Sequence, residues 1–270
     1  GVAEEDSITP LNPAHDSAEA AGAVYVFHRA AGVWNQQGYL KASNAQAGDW
    51  FGVSVAISGD GNTLAVGAFL EDSSSSGVGQ DQANDAALDS GAVYVFTRSN
   101  DAWTQRAYIK ASNTERFDRF GQGLALSRDG KTLAVGSPRE SSNTRGVDGD
   151  GSNNGAFRAG AVYVFALTDA GWSQQAFVKA SNASEDQIFG ISLSLSGDGN
   201  TLAVGAFFEQ SKSTGIGGDQ LDVSAPNAGA VYLFVRDGSS WSQRAYIKAS
   251  NTTEDSLFGG AVALSMDGTT

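Results

Sequence analysis

The pairs Phe51-Gly52, Phe120-Gly121, Phe189-Gly190 and Phe258-Gly259 each lie 69 positions after the one before. Gly22-Ala-Val-Tyr-Val-Phe27 returns in the same register at Gly91, Gly160 and Gly229. Trp34, Trp103, Trp172 and Trp241 keep the step, as do Lys41, Lys110, Lys179 and Lys248. A fixed period of this length restricts the chain to stacked or radial copies of one supersecondary unit. The repeat registers are 1–50, 51–119, 120–188, 189–257 and 258–270, and they read as one architecture spanning 1–270.

Within one register the pattern is that of four strands. Phe51 to Ser58 alternates, and Gly59-Asp60-Gly61-Asn62 has the residues of a tight turn. Thr63 to Ala68 is a short second strand, and Phe69 to Ser90 a long polar loop. Gly91 to Phe96 is an apolar run, as expected of a strand covered on both faces. Trp103 to Lys110 alternates again, as a fourth strand at the outer edge. Its recurring Lys fits the device of placing charge on an exposed edge. No segment has a helical period. Four antiparallel strands in meander order form the blade of a β-propeller, so the expected class is all-β. A β-helix would need shorter turns, and a sandwich would not repeat so strictly.

Composition narrows function by exclusion. A formal charge of −13 opposes binding to nucleic acid, whose affinity comes largely from Lys and Arg on phosphate, and to anionic membrane surfaces. No window approaches the apolar length of a membrane-spanning helix, so no membrane insertion is expected. The absence of cysteine removes disulfides, thiolate catalysis and Cys-based zinc sites, and is neutral on compartment.

Phe-Gly followed some fifteen residues later by Gly-Ala (Gly67-Ala68, Gly205-Ala206) or Gly-Ser-Pro (Gly136-Ser-Pro138) resembles the FG-GAP repeat. That repeat builds the propeller of integrin α subunits and of many bacterial integrin-α-like surface proteins. The resemblance implies a non-catalytic binding or adhesion module, extracellular or at the cell surface, with a protein or glycan ligand. A secreted protein of this kind carries a signal peptide, which this sequence does not include. The alternative is a structural spacer or assembly unit joined to further repeats or domains of a parent protein. The sequence begins and ends at nearly the same phase, inside the second strand. Either a four-bladed ring closes with its termini sharing a blade, or the chain is a slice of a larger array of about seven blades, the latter being favoured because closure removes propeller edges.

Integrin-type blades that bind calcium carry an Asp-rich loop in the first hairpin. Here that hairpin is Ser58-Gly-Asp-Gly-Asn62, Ser127-Arg-Asp-Gly-Lys131, Ser196-Gly-Asp-Gly-Asn200 and Ser265-Met-Asp-Gly268. One carboxylate per turn is too few for a cation that takes six to eight oxygens, so these read as hairpin turns. The acidity sits elsewhere. The loops between second and third strands carry −12 and the connectors between blades −5, while everything else sums to +4. In a meander those two kinds of segment share one face.

Such long loops are usually functional or disordered, and these keep phase internally. Glu71, Glu140 and Glu209 are in register, with Glu5 equivalent after a gap. Gly77, Gly146 and Gly215 hold the step, and so do Asp81, Asp150 and Asp219. Two readings follow: carboxylate and carbonyl oxygens converging on calcium, or Asx turns in which Asp bonds its own backbone. The best metal candidate is Asp148-Gly-Asp-Gly-Ser-Asn-Asn154, where Asp148, Asp150 and Ser152 alternate like the first ligands of an EF-hand loop. Asn153 replaces the usual Gly and no Glu follows at the twelfth position. Asp81 and Asp219 are the register mates, and Asp81, Asp85 and Asp89, four apart, form a weaker set.

The tryptophans read as packing between neighbouring blades, with carbohydrate stacking the alternative. Gln36, Gln105, Gln174 and Gln243 read as bonds to backbone or a neighbouring blade, and the Gly-Ala-Val-Tyr tyrosines as core with a bonded hydroxyl. Catalysis has little support. His15 and His28 have no counterparts in other repeats, and no nucleophile triad, phosphate loop or zinc helix is present.

Overall fold

The computed structural model describes residues 1–2, 5–7 and 17–270; His15 lies outside them. All regular structure among these residues is β, without helix. The chain divides into two compact units, Gly1–Gln122 and Gly123–Thr270.

The first unit holds a two-stranded sheet, β1 (Val24–Ala30) and β2 (Val33–Leu40). It also holds a four-stranded sheet of β3 (Ser54–Ile57), β4 (Thr63–Ala68), β5 (Ala92–Ser99) and β6 (Ala102–Ile109). Val2 bridges Ala23 beside β1 as Ala68 pairs with Ala92 beside β5, so the first residues occupy the second-strand position. The second unit has two four-stranded sheets. One is β7 (Gly123–Leu126), β8 (Thr132–Ser137), β9 (Ala161–Thr168) and β10 (Gly171–Val178). The other is β11 (Ser192–Leu195), β12 (Thr201–Ala206), β13 (Ala230–Asp237) and β14 (Ser240–Ile247). Every sheet is an antiparallel meander, with consecutive strands as neighbours.

The local chemistry explains the elements. Ser58 Oγ donates to Asp60 Oδ1 at 2.6 Å, the Asn62 N–H donates to the same oxygen at 3.0 Å, and Gly61 takes φ 69°. The bonds recur at Asp129, Asp198 and Asp267, so the Asp-Gly pairs are hairpin turns. The third strand is apolar on both sides because both are covered: Ala92 to Phe96 are all buried.

The Phe-Gly motif does something other than begin a strand. Phe51 precedes β3 and makes a parallel bridge to Gly22, its N–H donating to Ala21 O at 3.0 Å. Its ring is fully buried, edge-on to Tyr94 and Phe96 of the four-stranded sheet. Gly22 has φ 84°, and a Cβ on it would come within 2.1 Å of Phe51 O. Gly229 and Phe258 repeat the contact in the second unit. The reading of Phe51 as the start of the first strand is therefore corrected, since β3 begins at Ser54 and each phenylalanine ties the start of one repeat to the repeat before.

Trp103 and Trp241 behave as inter-sheet packing, whereas Trp34 of β2 is exposed. Trp103 of β6 lies against Gly38 of β2, where an added Cβ would approach its ring at 3.1 Å. Trp241 of β14 is buried and donates from Nε1 to Gln175 Oε1 on β10 at 2.9 Å. Gln105 and Gln243 bond Ser43 and Ser181 of the preceding repeat, as the glutamine series suggests.

Candidate functional site

One end of each sheet carries the long loop and the connector together. In the first unit, the Phe117 N–H donates to Leu88 O and the Arg119 N–H to Asp89 O. In the second, the Asp255 and Leu257 N–H groups donate to Pro226 O and Asn227 O. Loop and connector thus form one acidic surface, while the other end holds the short turns, where Arg98 of β5 bonds Asn62.

The loops are built, not merely linked. Residue 78 makes an antiparallel bridge to Ile109, with the Gly79 N–H donating to Tyr108 O and the Lys110 N–H to Gly77 O. The loop so pairs with the end of β6 and covers part of its free edge. Val147 with Val178, and Ile216 with Ile247, do the same. The turn into this pairing needs positive φ, and Gly77, Gly79, Gly215 and Gly217 supply it at 81°, 70°, 70° and 74°. Asp148 stands in register with Gly79 and Gly217 at φ 55°, a region Asp tolerates. Its Oδ1 accepts from the Phe177 N–H at 2.9 Å.

The phased aspartates cap the next turn. Asp81 Oδ1 accepts from Ala83 N–H at 2.8 Å, Asp219 Oδ1 from Leu221 N–H at 2.9 Å, and Asp150 Oδ1 from both N–H and Oγ of Ser152. The Ser152 hydroxyl, followed by its N–H, holds the Asp150 carboxyl below its usual range. Ser73 and Ser211 hydroxyls donate to Asp81 O and Asp219 O. Hydrogen bonds alone therefore account for the spacing of Gly and Asp. Asp148, Asp150 and Ser152 stay together on one loop, whereas Asp81 and Asp219 lie on others. No group of three or more His, Cys, Asp or Glu side chains suited to a metal occurs among the described residues.

Beneath each loop lies a buried charge network that sequence reading misplaced. Lys110 is fully buried, and its Nζ donates to Glu71 Oε2 at 2.7 Å and Ser90 Oγ at 2.7 Å. Tyr108 Oη and Asn44 Nδ2 donate to Glu71 Oε1 at 2.7 and 3.1 Å, and Tyr94 Oη donates to Asn44 Oδ1 at 2.6 Å. Glu209 repeats the set with Lys248, Tyr246 and Asn182. Lys41 pairs with Glu5, and Lys179 with Glu140. The recurring lysines are thus corrected from edge charges to core ion pairs. Burial pushes the Lys110 amine down, and the Glu71 carboxylate pulls it partly back. Burial also opposes ionisation of Glu5, but bonds from Lys41, Tyr39 and Ser7 outweigh it and hold its carboxyl below the usual range. The phased glutamates were the available signal, since Lys and Glu keep the same 39-residue separation in three repeats.

Asp49, in the connector before Phe51, is buried without a cationic partner. Burial pushes its carboxyl up to about 7; the Gln46 N–H opposes this, and Glu71, Asp72 and Asp85 add repulsion. A carboxyl raised in the folded state contributes a stability that is full below its unfolded value and lost as pH rises through the folded one. The window runs from about pH 4 to about 7, and the loss across it is on the order of 4 kcal/mol at most. Asp49→Asn should flatten the fall in stability across that window and stabilise the protein at pH 8. Urea melts at pH 5 and 8 check this, and equal pH slopes for parent and variant would refute it.

These features define a class: a repeat protein of four-stranded antiparallel sheets, β-propeller-like, with ordered loops gathered at one end of each sheet. The FG-GAP repeat model matches residues 34–96, 103–165 and 172–234, and the chain belongs to that family. None of the curated proteins compared with it matches. Among solved structures it is similar to a protein provisionally named 6-phosphogluconolactonase from Bacteroides uniformis, at 11% identity and TM-score 0.50, over 86% of this chain and 50% of that one. A similarly named protein of Bacteroides fragilis matches at 12% and 0.44, over 80% and 43%. A hypothetical selenium-binding protein of Sulfolobus tokodaii matches at 9% and 0.44, over 81% and 45%. The chain spans about half the length of these structures. At such identities the likeness concerns the fold alone.

Proposed function

We propose that the chain is a non-catalytic binding module displayed outside the cell, an integrin-α-like propeller segment that holds a protein or glycan ligand on its loop face. One observation carries this reading: a constant framework presents variable tips. The base of each of the three later loops is fixed by the same Glu–Lys pair and the same pairing to the outer strand. At the surface, exposed Leu88, Phe157 and the Pro226 position differ in register, as do Ala83, Ser152 and Leu221. Variable residues on a rigid scaffold are where binding function concentrates. The charge of −13 disfavours nucleic acid as the partner. The lactonase name belongs to a distant relative in fold, and His28 is an exposed residue of β1.

Calcium is proposed for the same loops on the alternation of their oxygen side chains, with Asp148, Asp150 and Ser152 as first ligands on a loop whose own charges balance. Such a site would draw backbone carbonyls and water, because the carboxylates stand apart. Thermal melts at matched ionic strength should show a higher Tm in millimolar calcium than in chelator, since an ion that binds only the folded loop stabilises it by mass action. Superimposed curves end the calcium proposal.

The second reading, a spacer or assembly unit, is favoured by an apolar groove over Ala203, Val231, Leu233 and Ile247, with a volume of about 520 Å³, on which a further sheet of the same kind could pack. Immobilised protein screened against glycan and extracellular-protein arrays separates the two. Saturable binding that is lost when 221–223 is exchanged for 83–85 is expected. Binding to neither array, with self-association instead, would favour the spacer.

A further inference from the structure

The loop end of the second unit contains a cavity of about 70 Å³ with both polar and apolar walls. It is lined by Asn182, Gln187, Glu209 and Ser184, with Arg145 and Asp222 also on its wall. That volume holds about five waters, at roughly 10–15 Å³ each. It admits a hydroxymethyl arm or two adjacent hydroxyls, but not a whole sugar ring.

Gln187 is 2% exposed. Its Nε2 donates to Asn182 O at 3.1 Å, while Oε1 has no partner. No protein donor meets this acceptor, so the site offers it to an incoming donor. The other buried acceptor is already served: Glu209 takes bonds from Lys248, Tyr246, Asn182 and Ser211 N–H.

The matching position in the first unit shows what changed. Asp49, Asp72 and Asp85 stand there in register with Gln187, Gln210 and Val223. Three carboxylates of one copy are neutral side chains in the other. In the second unit the Glu209 charge is met by Lys248, and the charges of Asp222 and Arg145 are opposite in sign. A charge-balanced pocket with a free acceptor selects a neutral donor over a cation or an anion. Leu221 and Val223, 71% and 65% exposed, add apolar surface for a C–H face.

We infer that this cavity is a subsite for a neutral saccharide, which places a hydroxyl against Gln187 Oε1 and lies over Leu221 and Val223. The inference rests on the binding-module reading and names its ligand class. The hydroxyl donates to Gln187, and its oxygen accepts from Ser184 or Arg145.

The test is a titration of ¹⁵N-labelled protein with methyl glycosides of glucose, galactose and mannose, up to about 100 mM, a range that detects millimolar affinity. At least one should shift the amide signals of residues 221–223 and the Gln187 side-chain amide. Gln187→Met keeps the shape and removes the acceptor, and should weaken that binding about 5–10-fold, the worth of one hydrogen bond. Val223→Asp restores the aspartate of the first unit at an exposed position where little packing is lost, and should weaken binding likewise. No shift with any of the three glycosides means that solvent alone fills the pocket, and overturns the inference. So does unchanged binding in both variants: a sugar bound elsewhere would leave the binding-module reading standing without this subsite. Shifts produced by N-acetylserine amide and by no glycoside would assign the pocket to a polypeptide and refute the saccharide.

Discussion

Glu71→Ala is expected to cost about 3–5 kcal/mol, the loss typical of removing one partner from a buried ion pair. The cost comes less from the missing attraction than from what is stranded. Lys110 is fully buried and keeps only Ser90 Oγ, Tyr108 loses Glu71 as its acceptor, and Asn44 keeps only Gln82 O. The double change Glu71→Leu with Lys110→Met should cost far less than the two single changes summed, because it removes both charges together. Urea melts of the four proteins in the cycle read this directly. The effect should persist at 1 M salt, since a pair shielded from solvent is scarcely screened. A single-variant cost under about 1 kcal/mol would mean that water reaches the pair.

The second large effect compares two residues at the same place in the repeat. Trp241→Ala should cost about 3–5 kcal/mol, as for a large aromatic removed from a core. Its ring is 5% exposed, its Nε1 bonds Gln175, and the Arg236 guanidinium lies 5.5 Å from the ring centre. Trp34→Ala should change stability by no more than about 0.5 kcal/mol, because that ring is 65% exposed. Melting temperatures of the two variants decide it. Equal losses would contradict packing as the role of the series. An unchanged Trp241→Ala melt with loss of glycan binding would restore the stacking alternative.

The period, the strand count, the meander and the Asp-Gly turns were all legible, because each rests on local pattern or on self-comparison along the chain. The Phe-Gly pair and the lysines were not, for a shared reason. Phe51 answers to Gly22, and Lys110 to Glu71 and Asn44. A residue whose partners lie in another strand or another repeat looks, in its own window, like whatever its neighbours are. Lys110 follows an alternating strand, so it reads as exposed; only its fixed distance from an equally phased Glu shows that it is buried. The candidate loops were legible as ordered, since drifting turns do not hold Gly and Asp in register. Two chemistries, a metal shell and an Asx turn, both ask for Asp and Gly at that spacing. The hydrogen bonds of Asp81, Asp150 and Asp219 account for it through the turn. Gln187 gave no signal of its own: its register mates are Asp49 and Asp118, and only burial together with an unmet oxygen distinguishes it.

The Glu71 network also has a kinetic meaning. Lys110, Tyr108 and Ser90 come from the sheet that Glu71 belongs to, but Asn44 comes from the repeat before, and Tyr94 reaches back to it. A lone repeat would bury a carboxylate with one of its donors absent. Folding of one repeat is thereby made to depend on its predecessor, as a nearest-neighbour term in a linear array. Coupling of that sort suppresses half-folded intermediates. It also makes such a junction mechanically brittle, since a pull that separates a repeat from its predecessor takes Asn44 from Glu71 and leaves that buried carboxylate short of a donor.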